Sequence, residues 1–150
     1  MKSLVIDGST ALGFLLKDER DTCALSALAA IENGVPTYIP AHCFVETTNG
    51  LLMAERRKRV TQSDVTEALG LLGALPIITD SETAAKAGSE TIALARQYGL
   101  TIYDAAYLEL AMRRGASLAT NDLELARAAT SAGVNLISVS QLPGPPTDSH

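Results

Sequence analysis

Residues 102–129 read IYDAAYLELAMRRGASLATNDLELARAA, and this stretch decides the fold. From Tyr103 to Arg114, the residues Ala105, Leu108, Ala111 and Met112 recur at helical spacing, and Gly115 stops the run. Ser117-Leu118-Ala119 is short and apolar enough for a buried strand. A second helical pattern runs from Asn121 to Ala132 and ends at Gly133. Helix, short strand and helix in direct succession mark a parallel sheet with helices packed on its faces.

The same alternation extends towards the N-terminus. Leu4-Val5-Ile6 reads as a buried strand broken at Asp7-Gly8, after which Ser9 or Thr10 caps a helix through Leu16. An Ala/Leu-rich helix over Thr22–Ile31 ends at Asn33-Gly34, a favourable pair for a left-handed cap. Thr37-Tyr38-Ile39 is a second strand, and Pro40 opens a helix reaching the basic stretch Arg56-Arg57-Lys58-Arg59. Thr61 opens a further helix, with Val65, Leu69 and Leu72 on one face. Pro76-Ile77-Ile78 is a brief extended segment, and Asp80 or Ser81 caps a long helix ending near Tyr98-Gly99. Leu100-Thr101-Ile102 is extended or a turn, and Val134–Val139 supplies a last strand. The expectation is a three-layer α/β/α sandwich with a central parallel sheet of about five strands and six or seven helices. One domain covers 1–142, and the Pro-rich stretch at 143–150 is a fraying tail.

Composition narrows the chemistry. Of 150 residues, 47% are apolar and 19% charged, a globular balance. Aromatics are only 4% with no Trp, too few for a module that binds single strands by stacking on several rings. The net charge of -5 provides no global field to hold a polyanion, so local basic patches or a metal cation must do so. Cys23 and Cys43 have no metal-ligand spacing, and the histidines are His42 and His150, so a zinc site is not expected. The two cysteines read as reduced thiols of a cytoplasmic protein. The N-terminal apolar stretch contains Asp7 and runs into KDERD, unlike a signal peptide, and no stretch is long enough to span a membrane.

With 17 acidic residues, about one position in nine is acidic, and most fit polar helix faces or helix starts. Four fall elsewhere. Asp7 and Asp122 each follow a strand, at the carboxyl edge where open α/β sheets bind ligands. Glu46 lies within an otherwise apolar helix face (Phe44, Val45, Leu51, Leu52), where an unpaired carboxylate would be costly to bury. Asp104 occupies the first turn of its helix. Singly, Asp7, Asp104 and Asp122 read equally well as helix-start carboxylates. Together at one edge they would repel one another, and a divalent cation would remove that repulsion. An oxygen-only donor set suits Mg²⁺, with Mn²⁺ as a substitute, better than Zn²⁺. Such carboxylates do phosphoryl chemistry. No GxSxG, HExxH, P-loop or GxGxxG is present.

Four segments, VIDGSTALG, PAHCFVETTNGLL, IYDAAYLELA and LATNDLELARAA, carry a resemblance. From Leu4 to about Leu142 the chain resembles PIN-domain ribonucleases, in particular VapC-type toxins of bacterial toxin–antitoxin pairs. The resemblance implies Mg²⁺-dependent endonucleolytic RNA cleavage that inhibits translation until a cognate antitoxin binds, and a homodimer. It implies Asp7, Glu46 and Asp104 as main metal ligands and catalytic residues, with Asp122 completing the pocket. Ser9 and Thr120 correspond to hydroxyls beside the carboxylates, and Asn49 to a polar residue lining the pocket. Gly8 and Thr10 depart from the small or apolar residues usual beside the first aspartate.

Other residues remain open between two readings. Arg56, Arg57, Lys58 and Arg59, like Arg113 and Arg114, are RNA contacts or solvated helix ends complementing the helix dipole. Tyr103 contacts substrate or partner, or packs in the core, and His42 reads as a helix-start residue outside the mechanism. Two rival functions are a catalytically inactive PIN-like protein-binding partner and an aspartate-based phosphatase acting through Asp7. The second is disfavoured because position 9 is Ser where haloacid-dehalogenase-like chemistry wants a second aspartate. A receiver-type phosphoacceptor would want a late Lys, and none follows Lys86.

Overall fold

A computed structural model describes residues 1–137. The chain begins with β1 (Leu4–Ile6), α1 (Gly8–Leu15), a 3-10 turn (Lys17–Glu19) and α2 (Thr22–Glu32). It continues through β2 (Thr37–Ile39), α3 (Cys43–Arg56), α4 (Gln62–Ala74) and β3 (Ile77–Thr79). Next come α5 (Thr83–Lys86), a π-helical turn (Ala87–Thr91) and α6 (Ile92–Tyr98). The described part closes with α7 (Ile102–Arg114), β4 (Ser117–Ala119) and α8 (Leu123–Ser131).

All strand pairs are parallel, in the order β3-β2-β1-β4. β1 is central, with Val5 opposite Tyr38 on one side and Leu118 on the other. Its three residues are buried, as a strand covered on both faces requires. Among the described residues the sheet thus has four strands rather than about five. Where the last strand was expected, Leu136 makes one parallel bridge to Leu118, and the Ile137 N–H donates to the Leu118 carbonyl at 3.1 Å. Residues 138–139 of that strand, the boundary at 142 and the tail at 143–150 lie outside the described residues.

Two glycines set how the layers meet. A Cβ on Gly13 would lie 2.8 Å from the Ala24 Cβ, and one on Gly50 would lie 2.5 Å from a Leu12 methyl. The absence of side chains there lets α1 approach α2 and α3 closely. α7 is buried over seven consecutive residues, Ala105–Ala111, and packs against β1 and β4 with α6 and α8 as neighbours.

Some boundaries differ from the sequence reading. α3 starts at Cys43, because Pro40 closes a turn in which its carbonyl accepts the Cys43 N–H at 3.1 Å. The expected long helix up to Tyr98 is interrupted by the π-helical turn, which ends at a buried Thr91 whose hydroxyl has no partner. Neither Asp80 nor Ser81 caps that helix: Asp80 is drawn to Arg113 and receives a hydrogen bond from Thr83. Pro76-Ile77-Ile78 is upgraded to a strand, with Ile77–Thr79 paired along β2.

Candidate active site

The strand order places the site. Successive strands step one way from β1 to β2 and β3, and β4 lies on the opposite side of β1. The crevice outside the carboxyl ends of β1 and β4 is therefore a topological switch point. Asp7 is the first residue after β1, and Thr120, Asn121 and Asp122 are the first three after β4.

Asp7 is 5% exposed, and both its oxygens are engaged. Oδ1 accepts from the Ser9 hydroxyl at 2.7 Å and the Thr10 N–H at 2.9 Å, and Oδ2 accepts from the Thr120 hydroxyl. Asp7 is thus the N-cap of α1, a role expected for Ser9 or Thr10. Thr10 instead donates its hydroxyl to the Ala119 carbonyl at 2.9 Å, tying α1 to β4. Asp122 caps α8 by accepting the Leu125 N–H at 3.0 Å, and its own N–H donates to the Thr120 hydroxyl at 3.0 Å. Asp104 lies in the first turn of α7, its N–H donating to the Thr101 hydroxyl at 3.1 Å. The two sequence readings of Asp7 and Asp122, as helix caps and as edge carboxylates, are compatible: each residue sits at the edge because it starts a helix there.

Burial raises the Asp7 carboxyl above its ordinary value, opposed by the hydrogen bonds from Thr120, Ser9 and Thr10. The Asp104 carboxyl is also raised, first by burial, then by the charges of Asp122 and Glu46, and further by Asp7. All three other carboxylates therefore act on Asp104.

Glu46 differs from its expected setting. Its side chain is 41% exposed, and Phe44 and Val45 beside it are exposed as well. α3 turns Cys43, Thr47, Leu51 and Ala54 inward, so of the apolar residues around Glu46 only Leu51 is buried, while Phe44, Val45 and Leu52 face outward. What positions Glu46 is Tyr107, whose buried hydroxyl donates to Oε1 at 2.6 Å. Sequence reasoning missed this residue: Tyr107 lies one helical turn beyond Asp104, but the carboxylate it bonds is on α3. Burial pushes the phenol far above its ordinary value and the neighbouring Cys43 thiol up to about 11, so both keep their protons at neutral pH.

His42 also lies nearer the site than the sequence suggested. Its ring stands edge-on to Tyr103 and Tyr107, with centroids 5.7 and 5.1 Å away. Nε2 is 3.1 Å from the Tyr103 carbonyl and 3.9 Å from Glu46 Oε1. A carbonyl can only accept, so that nitrogen carries the hydrogen.

A PIN domain family model matches residues 4–131. The chain belongs to the PIN domain family. It is 28% identical over 123 residues, 82% of this chain and 92% of the relative, to the Ribonuclease VapC3 of Pyrobaculum aerophilum. The crystal structure of PAE2754 from Pyrobaculum aerophilum superposes with a TM-score of 0.62 at 25% identity, covering 84% of this chain and 78% of that one. The crystal structure of VapBC2 from Rickettsia felis bound to a DNA fragment from their promoter gives a TM-score of 0.60 at 16% identity. It covers 89% of this chain and 96% of that one.

Within this PIN domain the basic residues divide. Arg56, Arg57 and Lys58 are exposed at the end of α3, with Lys58 in the left-handed region at φ 59°. Arg59 instead bonds Asp18 and Glu19, each at 2.8 Å. Arg113 is enclosed by its own chain: it pairs with Glu109 at 2.8 Å, Asp80 at 2.9 Å and Glu82 at 3.3 Å. Carboxylates of the same chain pair with both arginines, Arg59 at the surface with Asp18 and Glu19, and Arg113 against the buried Asp80 and Glu109. Arg114 lies 4.4 Å over the Tyr38 ring, a cation–π contact.

Ser9 and Thr120 touch Asp7 directly, and Asn49 is exposed one turn after Glu46. The candidate residues Asp7, Glu46, Asp104 and Asp122 offer only oxygen, the donor type that hard divalent cations take. As placed, Asp7 is held by hydroxyls and Glu46 by Tyr107. Among the described residues no three His, Cys, Asp or Glu side chains are gathered closely enough to hold a metal ion as they stand. No helix among those residues is long and apolar enough to cross a membrane.

Proposed function

We propose that this PIN domain is an endoribonuclease and the toxin of a toxin–antitoxin pair, which hydrolyses RNA phosphodiesters and so inhibits translation. The observation that carries this reading is the placement of Asp7 and Asp122 directly beyond β1 and β4 at the switch point, with the charges of Asp122, Glu46 and Asp7 all acting on Asp104, within a fold whose curated relative is named a ribonuclease. These four residues would hold Mg²⁺, with Mn²⁺ able to replace it. When bound, the cation lowers the pKa of a water molecule and offsets charge on the phosphate.

The chain's own part is to position and to orient. Ser9, the Thr10 N–H and Thr120 fix Asp7 in a single rotamer, and Tyr107 orients Glu46. Water attacks phosphorus, the bond to the leaving ribose oxygen breaks, and that oxygen takes up a proton. Arg56, Arg57, Lys58 and Arg114 are the basic residues left to meet backbone phosphates, and Asn49 lines the approach. The partners are RNA and a cognate antitoxin, the latter reading supported by a structural neighbour titled as a VapBC pair. The assembly is a homodimer, and the setting is cytoplasmic.

The test is calorimetric titration with Mg²⁺ and Mn²⁺, run beside cleavage of total RNA with and without a chelator. Divalent binding together with chelator-sensitive cleavage is expected. A protein that binds neither ion and leaves RNA intact would be a non-catalytic binding partner instead.

A further inference from the structure

The chain has six aromatic residues of the Phe, Tyr and Trp type: Phe14, Tyr38, Phe44, Tyr98, Tyr103 and Tyr107. Only two of them are exposed, Phe44, two residues before Glu46, and Tyr103. Tyr103 immediately precedes Asp104 and is 62% exposed, so the packed reading of this ring does not hold. Its backbone is pinned: the carbonyl accepts from His42 Nε2 at 3.1 Å, while the His42 ring supports it edge-on. His42 Nε2 is in turn 3.9 Å from Glu46 Oε1, so a single imidazole spans the gap from the exposed ring to the carboxylates. A solvent-facing ring held in place beside charged groups gains nothing for the core.

We propose that Tyr103 is a base-stacking residue for the substrate. Its ring takes one unstacked base of a single-stranded RNA segment next to the phosphate that is cut. The inference rests on the RNA-cleaving reading and deepens it by naming a side chain that contacts the substrate. Paired bases present no free face, whereas any unpaired base does. The acidic composition makes the need concrete: with a net charge of -5, phosphate attraction contributes little, and a π-face contact does not depend on charge. A base also suits this place better than an apolar protein surface. A protein partner seated on Tyr103 would strip water from Glu46, while a base brings its own phosphate towards the acids.

The experiment first maps a cleavage site in RNA. It then uses a single-stranded 2′-O-methyl oligonucleotide spanning that site, which is not cleaved, with 2-aminopurine beside the scissile position. Wild type and Tyr103→Phe should bind it within about twofold of each other and quench its fluorescence. Tyr103→Ala and Tyr103→Leu should bind roughly 5- to 150-fold more weakly, the range for losing one stacked base, and abolish the quench. The leucine variant keeps bulk against His42, so an alanine variant that fails to fold does not decide the outcome. Equal binding and cleavage by wild type and both aliphatic variants overturn the stacking role and leave the nuclease reading standing. A wild type that cuts no RNA overturns both. Unchanged RNA binding with loss of a co-expressed protein partner assigns the ring to a protein interface and also overturns the proposal.

Discussion

Removing one buried oxygen tests whether Glu46 is positioned or merely present. In Tyr107→Phe, the ring keeps its place among the core residues and only the hydroxyl that donates to Glu46 at 2.6 Å is lost. A hydrogen bond to a charged acceptor contributes about 1.5–3 kcal/mol. Glu46 is 41% exposed, so water replaces the phenol and the lower end of that range applies. If the bond orients the carboxylate for the reaction, about 1.4 kcal/mol of lost orientation slows turnover about tenfold. The fold loses less, because no buried acceptor is left unpaired, and Tm should fall by no more than about 4 °C. Initial cleavage rates at saturating RNA and Mg²⁺, set beside a thermal melt of the same preparation, separate the two effects. Wild-type turnover would refute the positioning role. A melt lowered far beyond that limit would mean that the hydroxyl supports the core rather than the carboxylate.

Asp104→Asn should reduce cleavage by more than the roughly 10- to 100-fold typical of losing an outer-shell partner, with an unchanged circular dichroism spectrum. A carboxyl raised in the folded state favours that state when protonated. The chelated protein should therefore gain stability as pH falls through the raised Asp7 and Asp104 values towards the ordinary 3.8, and Mg²⁺ should flatten the gain; melts from pH 7 down to 3.8 measure this. Arg113→Met leaves two buried carboxylates, Asp80 and Glu109, without their cation and should cost about 3–5 kcal/mol, read by urea denaturation. Arg113 holds the Asp80 carboxyl below its ordinary 3.8, so this contribution is complete above 3.8 and disappears as pH falls through the lower folded value. Gly13→Ala should destabilise by about 1–3 kcal/mol despite better helix propensity, because Ala24 has no flexible end to yield, and a melt at neutral pH checks it.

The layered fold was legible because β1 is wholly apolar, β4 is short with a single serine at its start, and the helices that follow them begin at residues that cap. Asp7 and Asp122 were legible for the same reason: a carboxylate directly after a buried strand has only the sheet edge to occupy. Glu46 was found by an argument the structure does not support, since an apolar neighbourhood in sequence says nothing of which face turns inward. Tyr107 and His42 stayed hidden because their role lies in contacts between α3 and α7, which spacing along one helix does not reveal. The basic clusters showed the same limit. Arg113 and Arg114 are adjacent, yet one is enclosed by three carboxylates and the other lies over a tyrosine ring. The π-helical turn has no evident cause in its sequence.

Asp7 and Asp122 begin helices as well as bearing charge, and asparagine is as good at that first duty as aspartate. At position 7 an amide would keep the bond from Thr10, while Thr120, which already receives the Asp122 N–H, would simply turn its hydroxyl. Silencing the chemistry therefore need not disturb the architecture. A one-atom exchange should give an inert twin of the protein, folded and still able to engage whatever the active form engages, and such twins are within easy reach of natural drift.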